Sequence, residues 1–389
     1  MRRIYRLILL TFVENFAIIL IERGIYFYSK ERLGFSVTAN LWLALAFGTA
    51  YVLGALISNR ISVRIGEKRL LQATIIGQLI GYAVLVVWPT PVPIYAVNAT
   101  LGLFNGLKWP VVESYISAGF SPAQTARAVG WFNITWASAM LLSVVAAGPL
   151  IAWARRALFV VCGLMSIFSL LLTRPMLTRP VHMAHDHPDR PPPAQIARIR
   201  HLLRASRWSM FVSYAALFLL SPLMPRIFMD RLGFSVVAGT ALSALLDAAR
   251  VVAFVQLNRY GGWHNRALPL VVCLVALPAG FFMVLFGQSL WIVLAGEVLF
   301  GWIGGMVYYA ALYYAMVAEN ASVDAGGGHE AMIGLGFAVG PTGGLIGTAL
   351  APAVGGYLIG VAVGIGPVFA VCVAGAGVAL AHLRRRPPG

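Results

Sequence analysis

The chain has 389 residues, of which 60% are hydrophobic and only 11% charged, and its mean hydropathy is +0.82. A soluble globular protein carries about 25% charged residues, so this composition excludes an ordinary soluble domain and makes lipid the natural solvent. The formal net charge of +16 would suit nucleic acid, but its placement points to a membrane instead, and no nucleic-acid partner is expected.

A helix needs about 20 mostly apolar residues to cross a bilayer. Twelve segments qualify, at roughly 5–28, 39–58, 70–88, 93–117, 128–150, 157–173, 208–228, 238–257, 267–287, 290–317, 330–355 and 361–382. The amino terminus MRRIYRLILLTFVENF starts basic, but its apolar run is too long and too acidic for a cleaved signal. Alternating polar and apolar strands of the kind that build a membrane barrel are absent from the sequence. Cys162, Cys273 and Cys372 each sit in a separate apolar run and read as small core residues.

The first span, TFVENFAIILIERGIYFY, is the most polar. At about 100° per residue, Thr11, Asn15, Glu22 and Tyr26 share a stripe, flanked by Glu14 and Arg23. This pattern predicts a cavity wall with a protonatable carboxylate. The alternative is a Glu22–Arg23 group snorkelling at the outer end. Between the second and third spans, GALISNRISVRIGEKRLL carries Arg64, Gly66, Lys68 and Arg69. The fourth span, YAVNATLGLFNGLKWPVVESYI, sets Asn98, Asn105, Lys108, Trp109 and Glu113 on one arc, with Pro110 loosening the helix. Such a face must look into the protein or a water-filled cavity; a structural Lys108–Glu113 pair is the alternative. Arg127 lies in the loop before the fifth span.

The stretch 174–207 is rich in Pro, His and Arg and reads as a cytoplasmic linker. Its histidines, His182, His185 and His187, suggest no fixed ligand geometry, so no metal is expected there. In the eighth span Asp247 and Arg250 are spaced for an intrahelical pair. The tenth places Glu297, Gly301, Gly304 and Tyr308 on one stripe, with glycines that permit close helix approach. His329 and Glu330 open the eleventh span and are expected at a gate or loop near the cytoplasmic surface.

The chain repeats itself. ERLGFSV at 31–37 returns as DRLGFSV at 230–236, 199 positions later. At the same offset Asn59-Arg60 matches Asn258-Arg259, Gly102 matches Gly301, and Asn105-Gly106 faces Gly304-Gly305. Six spans, a linker and six more give two halves of equal orientation, a parallel repeat about an axis along the membrane normal. The expected units are 1–173, the linker 174–207, and 208–389. Basic residues cluster on the face of the termini and linker, while only Lys30, Arg32, Arg155, Arg156, Arg226 and Arg231 stand in the opposite loops. That bias sets both termini in the cytoplasm of a bacterial-type inner or plasma membrane.

In this layout the whole chain resembles the major facilitator superfamily. Gly54, Arg64, Gly66, Lys68 and Arg69 look like parts of the family's loop between its second and third helices, with no Asp at the acid's place. The passage LFNGLKWPVVESYISAGFSPAQTARAVGWFN resembles the family's helix 4, loop and helix 5, with Arg127 at the basic position. Three shorter stretches resemble the proton-coupled oligopeptide transporter branch: Glu14 and Phe16 in FVENF, Lys108 and Pro110 in NGLKWP, and Glu297 in AGEVL. The resemblance implies an all-α polytopic fold of twelve helices in two six-helix bundles and places Glu14, Lys108 and Glu297 on the transport pathway.

No phosphate-binding Gly-x-x-x-x-Gly-Lys-Ser/Thr loop occurs and no nucleophile–base pair stands out. The expectation is a secondary transporter, not an enzyme, moving a small organic solute by alternating access and coupled to protons. It would need no cofactor and act as a monomer whose partners are solute, protons and lipid. A gradient-independent facilitator or a lipid flippase shares the pattern; a membrane-embedded enzyme or scaffold is more remote.

Overall fold

In the computed structural model, residues 2–116, 122–179, 193–318 and 323–384 are described; the side chains of 2–4, 122–127, 193–194, 316, 323–328 and 384 are not. The described chain is helical throughout, with no strand. The first half comprises α1 (Arg2–Glu22), α2 (Gly24–Leu33), α3 (Val37–Ile65), α4 (Glu67–Val87), α5 (Pro91–Ile116), α6 (Pro122–Trp153) and α7 (Ala157–Thr173). The second comprises α8 (Pro193–Pro225), α9 (Val236–Ser243), α10 (Leu245–Arg259), α11 (Leu268–Phe286), α12 (Leu290–Ala318), α13 (Val323–Leu350) and α14 (Tyr357–Arg384).

Twelve spans result, because α1 and α2 form one crossing interrupted at Arg23, and α9 and α10 one interrupted at Ala244. Among the described residues, nine crossings are long and apolar enough to span a membrane by length and composition. Of the other three, α7 is short, with 17 residues. The α1–α2 crossing and α5 carry the polar residues that lower their hydropathy, and those residues build the interior described below.

The repeat is legible at atomic level. Gly34 and Gly233 both adopt left-handed backbone, φ 67° and 74°, where glycine escapes the Cβ penalty. Two residues on, Ser36 and Ser235 cap the next helix by accepting from the amides of Ala39 and Ala238. A Cβ on Gly102 of α5 would lie 2.3 Å from the carbonyl oxygen of Phe47 in α3. Its counterpart Gly301 of α12 stands in the same relation to Leu246 of α10, at 2.0 Å. Phe47 and Leu246 are themselves 199 positions apart. The same backbone-to-backbone packing has been written twice.

The linker is not wholly a linker. Residues 193–207 belong to α8, one helix continuous with the seventh span. Ile196, Ile199, Leu202 and Leu203 recur at helical spacing and are buried, so an apolar stripe hidden among arginines extends the helix. The linker histidines lie outside the described residues.

Candidate functional site

Interior charge in a membrane needs partners, since an ionised group at mid-bilayer costs at least about 2.5–3.5 kcal/mol on insertion scales. Lys108 of α5 finds its partner in α1. Its Nζ donates to Glu14 Oε2 at 2.5 Å and to Gln78 Oε1 of α4 at 3.2 Å, and all three side chains are buried. The charge also lies 5.0 Å from the Trp109 ring centroid. Lys108 therefore pairs with Glu14 and not with Glu113, and the pair lies wholly within the first bundle. Glu14 Oε1 is left without a hydrogen bond.

A second buried pair joins the bundles. Arg23, at the α1–α2 interruption, donates from Nη1 to both carboxylate oxygens of Asp247 in α10, at 3.2 and 3.0 Å. Arg23 is 3% exposed and Asp247 0%, so Arg23 does not snorkel to the surface. Arg250 stands 3.8 Å from the same carboxylate and is the weaker partner, so the intrahelical Asp247–Arg250 pair is subordinate to the one between bundles. Arg250 also reaches Met140 Sδ at 3.8 Å and lies near the Trp136 ring of α6. Further out, Lys30 and Asp230, neighbours in the repeated turns, close an exposed bridge of 2.9 Å.

Toward the face of the termini the halves meet again. Tyr51 of α3 donates to Glu330 of α13. Glu113 of α5 faces the same carboxyl, with His329 beside it. His329 and Glu330 are both buried, and Glu330 meets the other half through Tyr51. Tyr309 donates to Asn258 of α10, whose amide packs on Gly130 of α6. Between the two closures lies a cavity of about 60 Å³, lined from both halves by Asn15, Glu22, Tyr51, Trp109, Trp136, Tyr214, Tyr308, Glu330 and apolar neighbours. Sites for organic ligands run to about 300–1,000 Å³. This one has room for a few waters only, so the centre between the halves is unexpanded. Phe337 of α13 stacks on Phe218 of α8, centroids 3.5 Å apart, and leans on Phe47 of α3.

The other expected residues are placed as follows. Asn98 donates its amide to the Leu43 carbonyl and so ties α5 to α3, while Asn105 donates to the Leu101 carbonyl within its own helix. Asn15 lines the cavity while donating to Thr11 O. Tyr26 is buried, and its carbonyl accepts from Asn40. Glu297 is 0% exposed, with neither carboxylate oxygen hydrogen-bonded. Lys68 donates to the Arg174 carbonyl and Arg179 to that of Val63, so the basic loop around Gly66 is tied to the start of the linker. Arg64 is exposed, and the side chain of Arg127 is outside the described residues. Sequence reasoning passed over Gln78, Tyr51 and Tyr214. The lone amide in the apolar run IIGQLIG was the available signal for Gln78; single tyrosines among many aromatics gave none.

Two parallel six-helix repeats around a central cavity near the membrane midplane define the architecture of secondary transporters. Residues 7–341 match the family model of the Major Facilitator Superfamily, and the chain belongs to that superfamily. The match is to the superfamily and does not single out the peptide-transporter branch. A search of curated sequences gives no significant match. Among solved structures, the chain is similar to the human organic anion transporter MFSD10 (TETRAN), at 14% identity and TM-score 0.66, over 98% of this chain and 99% of that one. It is also similar to a bacterial homolog of the human lysosomal transporter Spinster, inward-facing and unoccupied, at 14% identity and TM-score 0.65, over 98% and 95%. The occupied form of that homolog gives 15% identity and TM-score 0.62, over 97% and 95%. At these identities the likeness is one of fold.

Proposed function

We infer that the protein is a proton-coupled secondary transporter of a small organic solute, working by alternating access. The observation that carries this reading is the cavity shared by both bundles, with separate contacts between the halves at Arg23–Asp247 and at Tyr51–Glu330. Asp247 and Arg23 would part to open one side; Tyr51 and Glu330 would part to open the other. The Glu14–Lys108 pair supplies a proton site. Protonating Glu14 removes its charge and frees Lys108, which changes what the neighbouring wall of the cavity can bind. Glu297, buried without a partner, is the second candidate carboxyl. Among the described residues, the lining sets the carboxylates Glu22 and Glu330 among aromatic rings and includes no Lys or Arg. That favours a solute with a cationic or hydrogen-bond-donating group on an apolar body. The basic loops on the face of the termini support a cytoplasmic location for both ends in an inner or plasma membrane.

The test is electrogenic uptake by the purified protein in proteoliposomes under an imposed proton gradient. Amines, amino acids, peptides, sugars, nucleosides and organic anions would be offered in turn. A solute-dependent current lost in Glu14→Gln or Glu297→Gln establishes coupling and identifies the solute class together. Downhill flux that ignores the gradient and is equal in wild type and variants makes the protein a facilitator and leaves these carboxyls structural.

A further inference from the structure

Glu113, His329 and Glu330 form a cluster whose three potential ligand atoms lie within 4.8 Å of one another, with all three residues buried. Glu113 belongs to α5 of the first bundle, His329 and Glu330 to α13 of the second. Acidic neighbours alone would mean little, but the histidine adds an independent observation. His329 is 0% exposed, and neither ring nitrogen has a hydrogen-bond partner. Buried imidazoles are ordinarily held by a carboxylate, a carbonyl or a metal. This one is enclosed by the Tyr308 ring, edge-on at 5.3 Å, and by two carboxyls it does not hydrogen-bond. Glu113 likewise has no bonded partner for either oxygen apart from the facing carboxyl of Glu330.

We propose that Glu113, His329 and Glu330 bind a divalent transition-metal ion, of which zinc is the representative case. Imidazole nitrogen and carboxylate oxygen are both ligand types that zinc takes, and two carboxylate charges balance a divalent ion. Donors around tetrahedral zinc stand about 3.3 Å apart at bond lengths of about 2.0–2.1 Å. The cluster reaches that geometry by drawing in about 1.5 Å, within the range of side-chain rotation. Tyr51, donating to Glu330, is placed to orient that carboxylate from outside the ligand set. Of the three, Glu330 also lines the central cavity, together with Tyr51 and Tyr308, and that cavity has room for the water that would complete the ligand set. Calcium and magnesium are disfavoured, because they seek six or more oxygen donors and the imidazole offers none. A bound ion would tie α5 to α13 and hold the face of the termini shut. That consequence rests on the alternating-access reading; the binding itself does not.

The test uses the full chain in detergent, stripped with a chelator, and needs no transport. Zinc is titrated in competition with a chromogenic indicator, and cobalt is followed by its visible absorption. The expected result is one zinc per chain, a rise in Tm on adding zinc, and an intense tetrahedral-type cobalt band. Affinity falls at least tenfold in His329→Ala and in Glu113→Gln. It is unchanged when His182, His185, His187 and His382 are all replaced by serine. A wild-type chain that takes up no stoichiometric zinc overturns the proposal without reference to any variant. Uptake unaffected by His329→Ala, or lost with the four serine substitutions, overturns it as well by placing the ion elsewhere.

Discussion

The two halves share a backbone and divide the chemistry. Their turns and closest helix contacts coincide at an offset of 199, yet the interior charges do not. The counterparts of Glu14, Gln78 and Lys108 are Ser213, Leu277 and Val307. The first bundle therefore carries its main ion pair internally, and that pair travels with it as a unit. The charges of the second bundle, Asp247, Arg250, Glu297 and Glu330, either reach across to the first or stand unpaired. A pair inside one rigid body contributes to that body's stability; a pair between bodies sets the balance between conformations. Duplication supplied a symmetric frame, and the chemistry lies where the copies differ.

The largest effect is expected from breaking the internal pair. Lys108→Met leaves Glu14 charged and unpaired in the membrane, which should cost about 3–5 kcal/mol. Thermal unfolding in detergent will show this as a large drop in Tm, and the double variant Glu14→Gln, Lys108→Met should recover most of it. A double variant as unstable as the single one would mean that the pair is not the source.

Next comes the pair between bundles. Arg23→Gln should cost less, about 1.5–3 kcal/mol, because Arg250 remains 3.8 Å from Asp247. Its clearer signature is conformational. Single cysteines introduced beside Lys30 and Asp230 should label faster with an impermeant thiol reagent, since the face away from the termini opens more often. Unchanged labelling would reduce Arg23–Asp247 to a packing contact.

The matched glycines sharpen the comparison from the other side. Gly102→Val and Gly301→Val each force side-chain atoms onto a carbonyl of the neighbouring helix and should each cost about 1–3 kcal/mol. Equal losses in Tm would show that the two interfaces are energetic as well as geometric copies; a loss confined to one half would break the equivalence. The smallest effect belongs to the exposed bridge. Lys30→Ala should change stability by no more than about 1 kcal/mol and lose even that in high salt.

Much of this was legible beforehand for a simple reason. In lipid every backbone polar group must be satisfied within its own segment, so apolar runs translate directly into helices. The repeated LGFSV fixed the turns as well, because a left-handed glycine and a capping serine act over a few residues. The high cost of intramembrane charge also flagged Glu14, Lys108, Glu113 and Glu297 as interior groups before any partner was known.

Partnership was another matter. Helical spacing offered Arg250 as the mate of Asp247, and for Lys108 only Glu113 of its own helix stood as the alternative to a pathway role, since neighbours on one helix are all that periodicity can reveal. Tertiary packing chose Glu14 and Arg23 instead, from helices 94 and 224 residues away along the chain. It also brought Glu113 against His329 and Glu330, an encounter between two bundles that no local pattern encodes. The sequence by itself determined which residues must face inward, because desolvation acts on each residue singly. Only the fold decided which inward residues meet, because pairing depends on how whole helices are laid against one another.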